Sequence, residues 1–389
     1  MDLPVYLDHH ATTPCDPRVV EAMSPYWTKI FGNPSSRAHA VGREAEDAVE
    51  SSRRVVAGAI GCDPAEVVFT SGATEANNLA IFGVARARRA AGDGDHLVIS
   101  AVEHKAVLEP AHVLGEEGFE VTVVEVDEHG LVDPADVAEA LTDRTVLVSV
   151  MLANNEIGTI EPVAAIAERA HERGAWVHTD AVQAIGRLAV DVDDLGVDLL
   201  SLTAHKFYGP KGSGALFVRR RPRRVELDPL FVGGGQERDL RSGTLNVPGI
   251  VGLARAIELA EEERDTEVER VGALRDRLED GLREAVDGLV VNGAPGKRIA
   301  PNLNVSIPHV DGEALLLSLH DIAISSGSAC RSTAPGGSHV LEAIGRDADL
   351  VRSSVRFGLG RWTTEEEIDY TIRRVSETIE RLRSMSVLP

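Results

Sequence analysis

Between about residues 65 and 220 the chain alternates short apolar runs with stretches of helical spacing, the pattern of βα units around a mainly parallel sheet. Strands are predicted over 66–70, 96–100, 120–126, 145–151, 175–179, 199–204 and 214–218, enough for a substantial central sheet. A chain of 389 residues, 43% of them hydrophobic, can bury the core this needs, and its length favours two domains. After the glycine-rich stretch at Gly233–Gly235 and the segment 241–248, helical spacing runs on to about Glu284 as a long connector. Beyond it, 302–307, 322–326 and 354–358 read as strands interleaved with helices. The final helix is marked by a capping box of Thr364 and Glu367, and by Ile368, Ile372, Val375, Ile379 and Leu382 at 4-3-4-3 spacing. That stripe is core packing.

Charge and cysteine content narrow the function. A net charge of −22 argues against nucleic acid as a direct partner, because phosphate backbones are bound through clustered Lys and Arg. Only five of the 40 basic residues are lysines, and acidic excess with scarce lysine is compatible with a high-salt cytoplasm. Cys15, Cys62 and Cys330 lie far apart with no CxxC, so neither a disulfide framework nor a cysteine zinc site is expected, and no metal is assigned. Met-Asp-Leu-Pro does not open a secretory signal, and no apolar run approaches the roughly 20 residues of a membrane span. The expectation is a soluble cytoplasmic protein with no membrane partner.

Common nucleotide and hydrolase motifs are absent: there is no GxxxxGK(S/T), no GxGxxG leading from strand to helix and no GxSxG. What remains is the stretch from Val67 to Ala80, an apolar strand passing through Ser71, Gly72, Ala73 and Thr74 into a helix. Backbone N–H groups at such a helix start can cradle one phosphate, although, taken alone, the stretch favours a plain helix cap by Ser71 or Thr74 with no ligand. Further on, one predicted strand ends at Asp180 and another at His205-Lys206. Ligands of open α/β sheets collect at the carboxyl ends of strands, so these groups can converge with the phosphate turn in one crevice. A lysine amine there can form a Schiff base with pyridoxal phosphate, while a carboxylate keeps the pyridine nitrogen protonated. Taken singly, Asp180 could cap the following helix and Lys206 could be a solvated loop residue. The three elements in order favour the cofactor.

The motifs then resemble, almost end to end, those of cysteine desulfurases of the NifS/IscS type in the class V aminotransferase group. They comprise Tyr6-Leu-Asp with Ala11-Thr-Thr-Pro, Phe31-Gly-Asn-Pro-Ser-Ser, Thr70-Ser-Gly-Ala-Thr-Glu, Glu103-His-Lys-Ala-Val and Asn154-Asn-Glu-Ile-Gly. His205-Lys-Phe-Tyr-Gly-Pro-Lys-Gly, Arg241-Ser-Gly-Thr, Ser325-Ser-Gly-Ser-Ala-Cys and Arg356-Phe-Gly-Leu-Gly-Arg follow in the same order. The resemblance implies an α/β, fold type I pyridoxal-phosphate enzyme working as a homodimer. It implies a large cofactor-binding domain over 15–258 with a mainly parallel seven-stranded sheet, and a smaller α+β domain from 1–14 and 259–389 carrying the catalytic cysteine loop. Lys206 would hold the cofactor aldehyde, Asp180 the pyridine nitrogen and Gln183 the ring hydroxyl. Ala73, Thr74, Thr203 and His205 match phosphate-binding positions, and Thr244 one that reaches the neighbouring subunit's phosphate. His104 matches the imidazole that stacks on the ring and helps move protons; Asn155 lies near cofactor and substrate, and Arg356 matches the group that takes the substrate carboxylate as a bidentate partner. Thr203 stands where serine is common in the family and keeps the hydroxyl.

Cys330 sits among small residues, from Ser325 to Ser338, that offer few anchoring side chains. The expectation is that its thiolate, favoured by Arg331, attacks the sulfur of bound L-cysteine and carries it away as a persulfide, releasing alanine. Cys15 and Cys62 read as small core hydrophobes. Selenocysteine lyase, cysteine sulfinate desulfinase and plain aminotransferase chemistry are rival readings on this scaffold, Cys330 speaking against the last, and a non-catalytic sulfur-relay scaffold is a rival of another class. Only Ser384-Met-Ser-Val-Leu-Pro follows the last helix, where some relatives carry a longer tail that docks an iron–sulfur scaffold, so the acceptor, such a scaffold or a tRNA-thiolation protein, stays open.

Overall fold

A computed structural model describes residues 3–326 and 337–385. In chain order the strands are β1 (Val5–Tyr6), β2 (Val67–Thr70), β3 (His96–Ser100), β4 (Glu120–Val124), β5 (Thr145–Ser149), β6 (Trp176–Asp180), β7 (Leu199–Thr203), β8 (Gly214–Val218), β9 (Val290–Asn292), β10 (Asn302–Ser306), β11 (Ile322–Ala323) and β12 (Ser354–Gly358). Seven of them form one sheet in the order β2-β8-β7-β6-β5-β3-β4. β8 alone runs antiparallel to its two neighbours, so the carboxyl ends of the other six share one edge. All seven predicted strands are present, with ends shifted by a residue or two.

The sequence makes this sheet because its inner strands carry apolar side chains on both faces, and β2, β3 and β5 to β8 are buried throughout. On one face, helix Ala73–Ala91 lays Ala76, Ala80 and Val84 against Val68, Leu147 and Leu216. On the other, Ala40–Ile60 and the start of Val247–Ala285 cover Phe69, Val148 and Val177. Burying each large side chain of these layers contributes roughly 1.5–3 kcal/mol. Strand β4, at the free edge, is largely open to solvent.

Helix Val247–Ala285 belongs to two cores: Ile250, Leu253 and Ile257 pack on the large sheet, whereas Leu274, Leu278 and Leu282 join Leu303, Val305 and Phe357 in a separate cluster. That second cluster surrounds the antiparallel sheet β12-β10-β9 and includes Val5, Leu7, Ile368, Val375 and Ile379. Both halves of the Thr364–Glu367 capping box form, at 2.8 and 3.3 Å. The N-terminal segment crosses to this region: β1 pairs in parallel with β11, and the Gly358 N–H donates to the Leu7 carbonyl at 2.7 Å. Among the described residues no helix is long and apolar enough to cross a membrane.

Candidate active site

The common edge of the six strands opens into a cavity of about 530 Å³. Lys206, His104, Asp180, Gln183, Ala73, Thr74, Thr203, His205, Asn155 and Arg356, ten residues singled out in the sequence, line it together. Thr244 does not; it lies in a shallower depression with Phe231, Val232 and Arg241. Cys330 falls outside the described residues.

The turn after β2 behaves differently from a capped helix start. Gly72 is the N-cap, with φ +148°, and no side chain caps the helix. A residue with a Cβ is strained at that φ, and the adjacent Gly214 comes so close that its own Cβ would sit 2.7 Å from Gly72 Cα. The first-turn N–H groups have no intrahelical acceptor, so the positive end of a 19-residue helix faces the cavity. Capping by Ser71 or Thr74 does not occur.

Asp180 closes β6, where its Oδ2 accepts from Asn77 Nδ2 at 2.7 Å and its Oδ1 from the Val182 N–H at 3.0 Å. It therefore does hold the turn that follows, with one oxygen, while Asn77 aims the other. Lys206 follows β7, and its Nζ donates to the carbonyls of Ala11 at 2.8 Å and His10. Burial, then the Arg356 and Arg187 charges, push its amine down to about 7, so at neutral pH half of it is a free nucleophile. A solvated lysine would not behave this way.

His104 caps helix Lys105–Glu116: its Nδ1 accepts the Ala106 N–H at 3.1 Å, which leaves the ring proton on Nε2. Burial holds this imidazole below the ordinary histidine range. Gln183 donates through Nε2 to the His10 carbonyl at 3.0 Å, and its Oε1 accepts from Arg187 at 2.7 Å. Thr203 spends its hydroxyl proton on the Ser213 carbonyl at 3.1 Å, so in this state it faces the cavity as an acceptor. His205 contacts the Thr12 hydroxyl at 3.1 Å and is pushed down to about 4 by burial and by Lys206.

Arg356, 1% exposed, donates to the Asn155 carbonyl at 2.8 Å and to Asp8 Oδ1 at 2.9 Å, while its buried Nε has no partner among the described residues. The Arg356 N–H donates to the Ser325 carbonyl at 2.7 Å, so the strand carrying this guanidinium also receives the chain just before residue 327. After residue 336, Ser338 bonds the Glu156 carboxyl, and His339 Nε2 meets the Glu103 carbonyl at 2.9 Å.

Sequence reasoning missed several groups here. His10 shares a hydrogen bond between Nδ1 and Gln183 Oε1 at 3.1 Å, which puts its proton on Nδ1 and leaves Nε2 a buried, unpartnered acceptor in the cavity wall. Arg187 ties Gln183 to the Lys206 carbonyl, at 2.7 and 3.1 Å. Glu103 accepts from Ser100 Oγ at 2.6 Å and the Met151 N–H at 2.7 Å, and burial pushes it up to about 8, so it is neutral near pH 7. His10 lies between two of the family motifs and Glu103 opens another, and those places were the available signal.

Comparison with known proteins agrees with this geometry. The family model for class-V aminotransferases matches residues 5–371. A cysteine desulfurase IscS of Anaeromyxobacter sp. (strain K) is 54% identical over 388 residues, covering 100% of this chain and 95% of that protein. A cysteine desulfurase of Rattus norvegicus is 49% identical, covering 99% of this chain and 85% of that one. A solved NifS-like protein superposes with a TM-score of 0.90 at 38% identity, over 98% of this chain and 100% of its own. The chain belongs to the class-V aminotransferase family, among its cysteine desulfurases.

Proposed function

We propose that this cysteine desulfurase uses pyridoxal phosphate, seated in the cavity at the sheet edge, to convert L-cysteine to L-alanine and leave the sulfur as a persulfide on Cys330. The observation that carries the reading is the convergence of a free amine (Lys206), an aimed carboxylate (Asp180) and an uncapped helix start in one cavity. The residues fit the cofactor by an independent sign: two buried polar atoms without a partner among the described residues, the acceptor His10 Nε2 and the donor Arg356 Nε, belong to residues of the wall. The backbone at Ala73 and Thr74, with Thr203 and His205, would hold the phosphate, Asp180 the ring nitrogen and Gln183 the ring hydroxyl, and Thr244 would reach the phosphate of a second copy. When bound, the cofactor supplies an aldehyde for amines and an electron-withdrawing ring that acidifies the substrate Cα–H.

The protein groups divide the remaining work. Arg356 takes the substrate carboxylate through its unused donors, beside Asn155. Lys206, with an amine poised near 7, accepts the Cα proton and later returns one. His104 presents Nε2–H as a second proton carrier. The Cys330 thiolate attacks the substrate sulfur; the new S–S bond forms as the C–S bond breaks, its electrons stay with the three-carbon skeleton, and protonation there completes alanine. We also propose the division into 15–258 and 1–14 with 259–389, a homodimer, a cytoplasmic setting, and delivery of sulfur to an iron–sulfur scaffold or a tRNA-thiolation protein. To test the reaction, Cys330→Ser is given L-cysteine: the wild type gains the mass of one sulfur on the Cys330 peptide, and the variant retains cofactor uptake but makes no persulfide. Alanine and sulfide released by the variant at the wild-type rate would overturn the assignment of Cys330.

A further inference from the structure

Glu75 is out of place at a site for an anion. It lies in the first turn of the helix whose N-terminus faces the cavity, it lines that cavity, and its side chain is 9% exposed. Its Oε2 accepts the Ser71 N–H at 2.8 Å, so the carboxylate shapes the small-residue turn from behind. Its Oε1 accepts from Arg241 Nε at 2.8 Å, and Arg241 Nη2 reaches Oε2 at 3.3 Å. Burial pushes this carboxyl up, but the Arg241 and Ser71 bonds carry it below the ordinary range, so it is charged. An uncompensated carboxylate there would oppose a phosphate at the same helix start.

Arg241 is itself held in register with the turn. The preceding residues Glu237, Arg238 and Asp239 all have left-handed backbones, with φ of 48°, 60° and 66°, which side chains other than glycine rarely adopt. Side-chain bonds hold the first two in place: buried Glu237 accepts from both Nη atoms of Arg53, at 2.8 and 2.7 Å, and from the Phe69 N–H at 2.8 Å. Arg238 donates to the Val67 carbonyl at 2.5 Å. Phe69 and Val67 belong to β2, the strand that leads into the turn. Three contacts therefore lace residues 237–241 along β2 and the helix start.

We propose that Glu75 and Arg241 are a positioning pair for the cofactor phosphate: Glu75 fixes the turn, Arg241 cancels its charge, and the cradle accepts a phosphate only while the segment bearing Arg241 and Thr244 is docked. This rests on the pyridoxal-phosphate reading. The test measures dissociation constants of apoenzyme for pyridoxal phosphate and for pyridoxal, which lacks the phosphate, in the wild type, Arg241→Gln, Glu75→Gln and the double variant. Arg241→Gln weakens pyridoxal phosphate binding by about tenfold or more and leaves pyridoxal nearly unchanged; adding Glu75→Gln restores binding to within about threefold of wild type. Glu75→Gln alone, which keeps an acceptor for the Ser71 N–H, binds inorganic phosphate and pyridoxal phosphate at least as tightly as wild type. Equal loss for both ligands, a double variant no better than Arg241→Gln, or weaker phosphate binding by Glu75→Gln would each overturn the pair. If Arg241→Gln does not fold, the Glu75→Gln result decides alone. Failure of wild-type apoenzyme to take up pyridoxal phosphate would instead sink the cofactor reading.

Discussion

The Lys206 amine makes a sharp prediction about carbonyl capture. An ordinary lysine titrates at 10.5, so at pH 7 only about one amine in three thousand is neutral; pushed down to about 7, half of the Lys206 population is, a gain of roughly a thousandfold in free nucleophile. The neutral form reacts, so the rate follows deprotonation: about a tenth of its maximum at pH 6, half at pH 7, and a plateau above about pH 8. Arg356 is the first charge lowering the amine after burial, and a like charge across a cavity's width, roughly 8–15 Å, is worth on the order of 1–2 kcal/mol at an effective dielectric of about 20. Arg356→Gln therefore moves the midpoint upward by about one pH unit, aided by Asp8, which then faces the amine unpaired. The assay exposes apoenzyme to pyridoxal with cyanoborohydride across pH 5–10 and counts adducts on each lysine peptide, the other four lysines serving as references in the same digest. A Lys206 rate still climbing tenfold per unit between pH 8 and 10, or an Arg356→Gln midpoint below the wild type's, would refute the reasoning.

Other perturbations follow from the same contacts. Asn77→Leu removes the amide that aims Asp180, a charged hydrogen bond worth about 1.5–3 kcal/mol, so spectroscopic titration should give a cofactor dissociation constant raised about tenfold or more. Arg53→Met leaves the Glu237 carboxylate buried with one backbone donor, and chemical unfolding should show a loss of about 3–5 kcal/mol; under 1 kcal/mol contradicts the clamp. Glu103 is raised to about 8, so between its unfolded value near 4.5 and pH 8 the native state keeps a proton the unfolded chain releases. Its contribution is present in full below 4.5 and is lost as pH rises, by up to about 1.4 kcal/mol per unit, so Glu103→Gln should lose less stability than wild type between pH 6 and 7 in paired denaturant melts.

Six of the seven strands of the large sheet were legible because burial on both faces writes continuous apolar runs, whereas the solvent-open β4 showed only through its β-branched residues. Val290–Asn292 was not, since a three-residue strand with two half-buried members leaves no periodicity to read. Lys206 and Asp180 could be placed because each ends a strand and strand ends share an edge. The partners that tune them could not: His10 reaches the cavity only because its neighbours pair with Gly358, and Arg187 matters through a carbonyl and an amide that no spacing pattern records. Protonation was equally hidden, as Glu103 looks like any acidic residue until Ser100 and Met151 enclose it.

The segment that holds Lys206 comes from the first residues of the chain, yet it is secured by β12, the last strand among the described residues. His10 and Ala11 receive the amine, and their neighbours Leu7 and His9 are bonded to Gly358. During synthesis, residues translated at the outset must wait until nearly all the polypeptide has emerged before the pocket wall can close. A nascent or truncated chain would thus expose no finished amine nest, and a reactive aldehyde would find its proper lysine only in a molecule that had already completed folding.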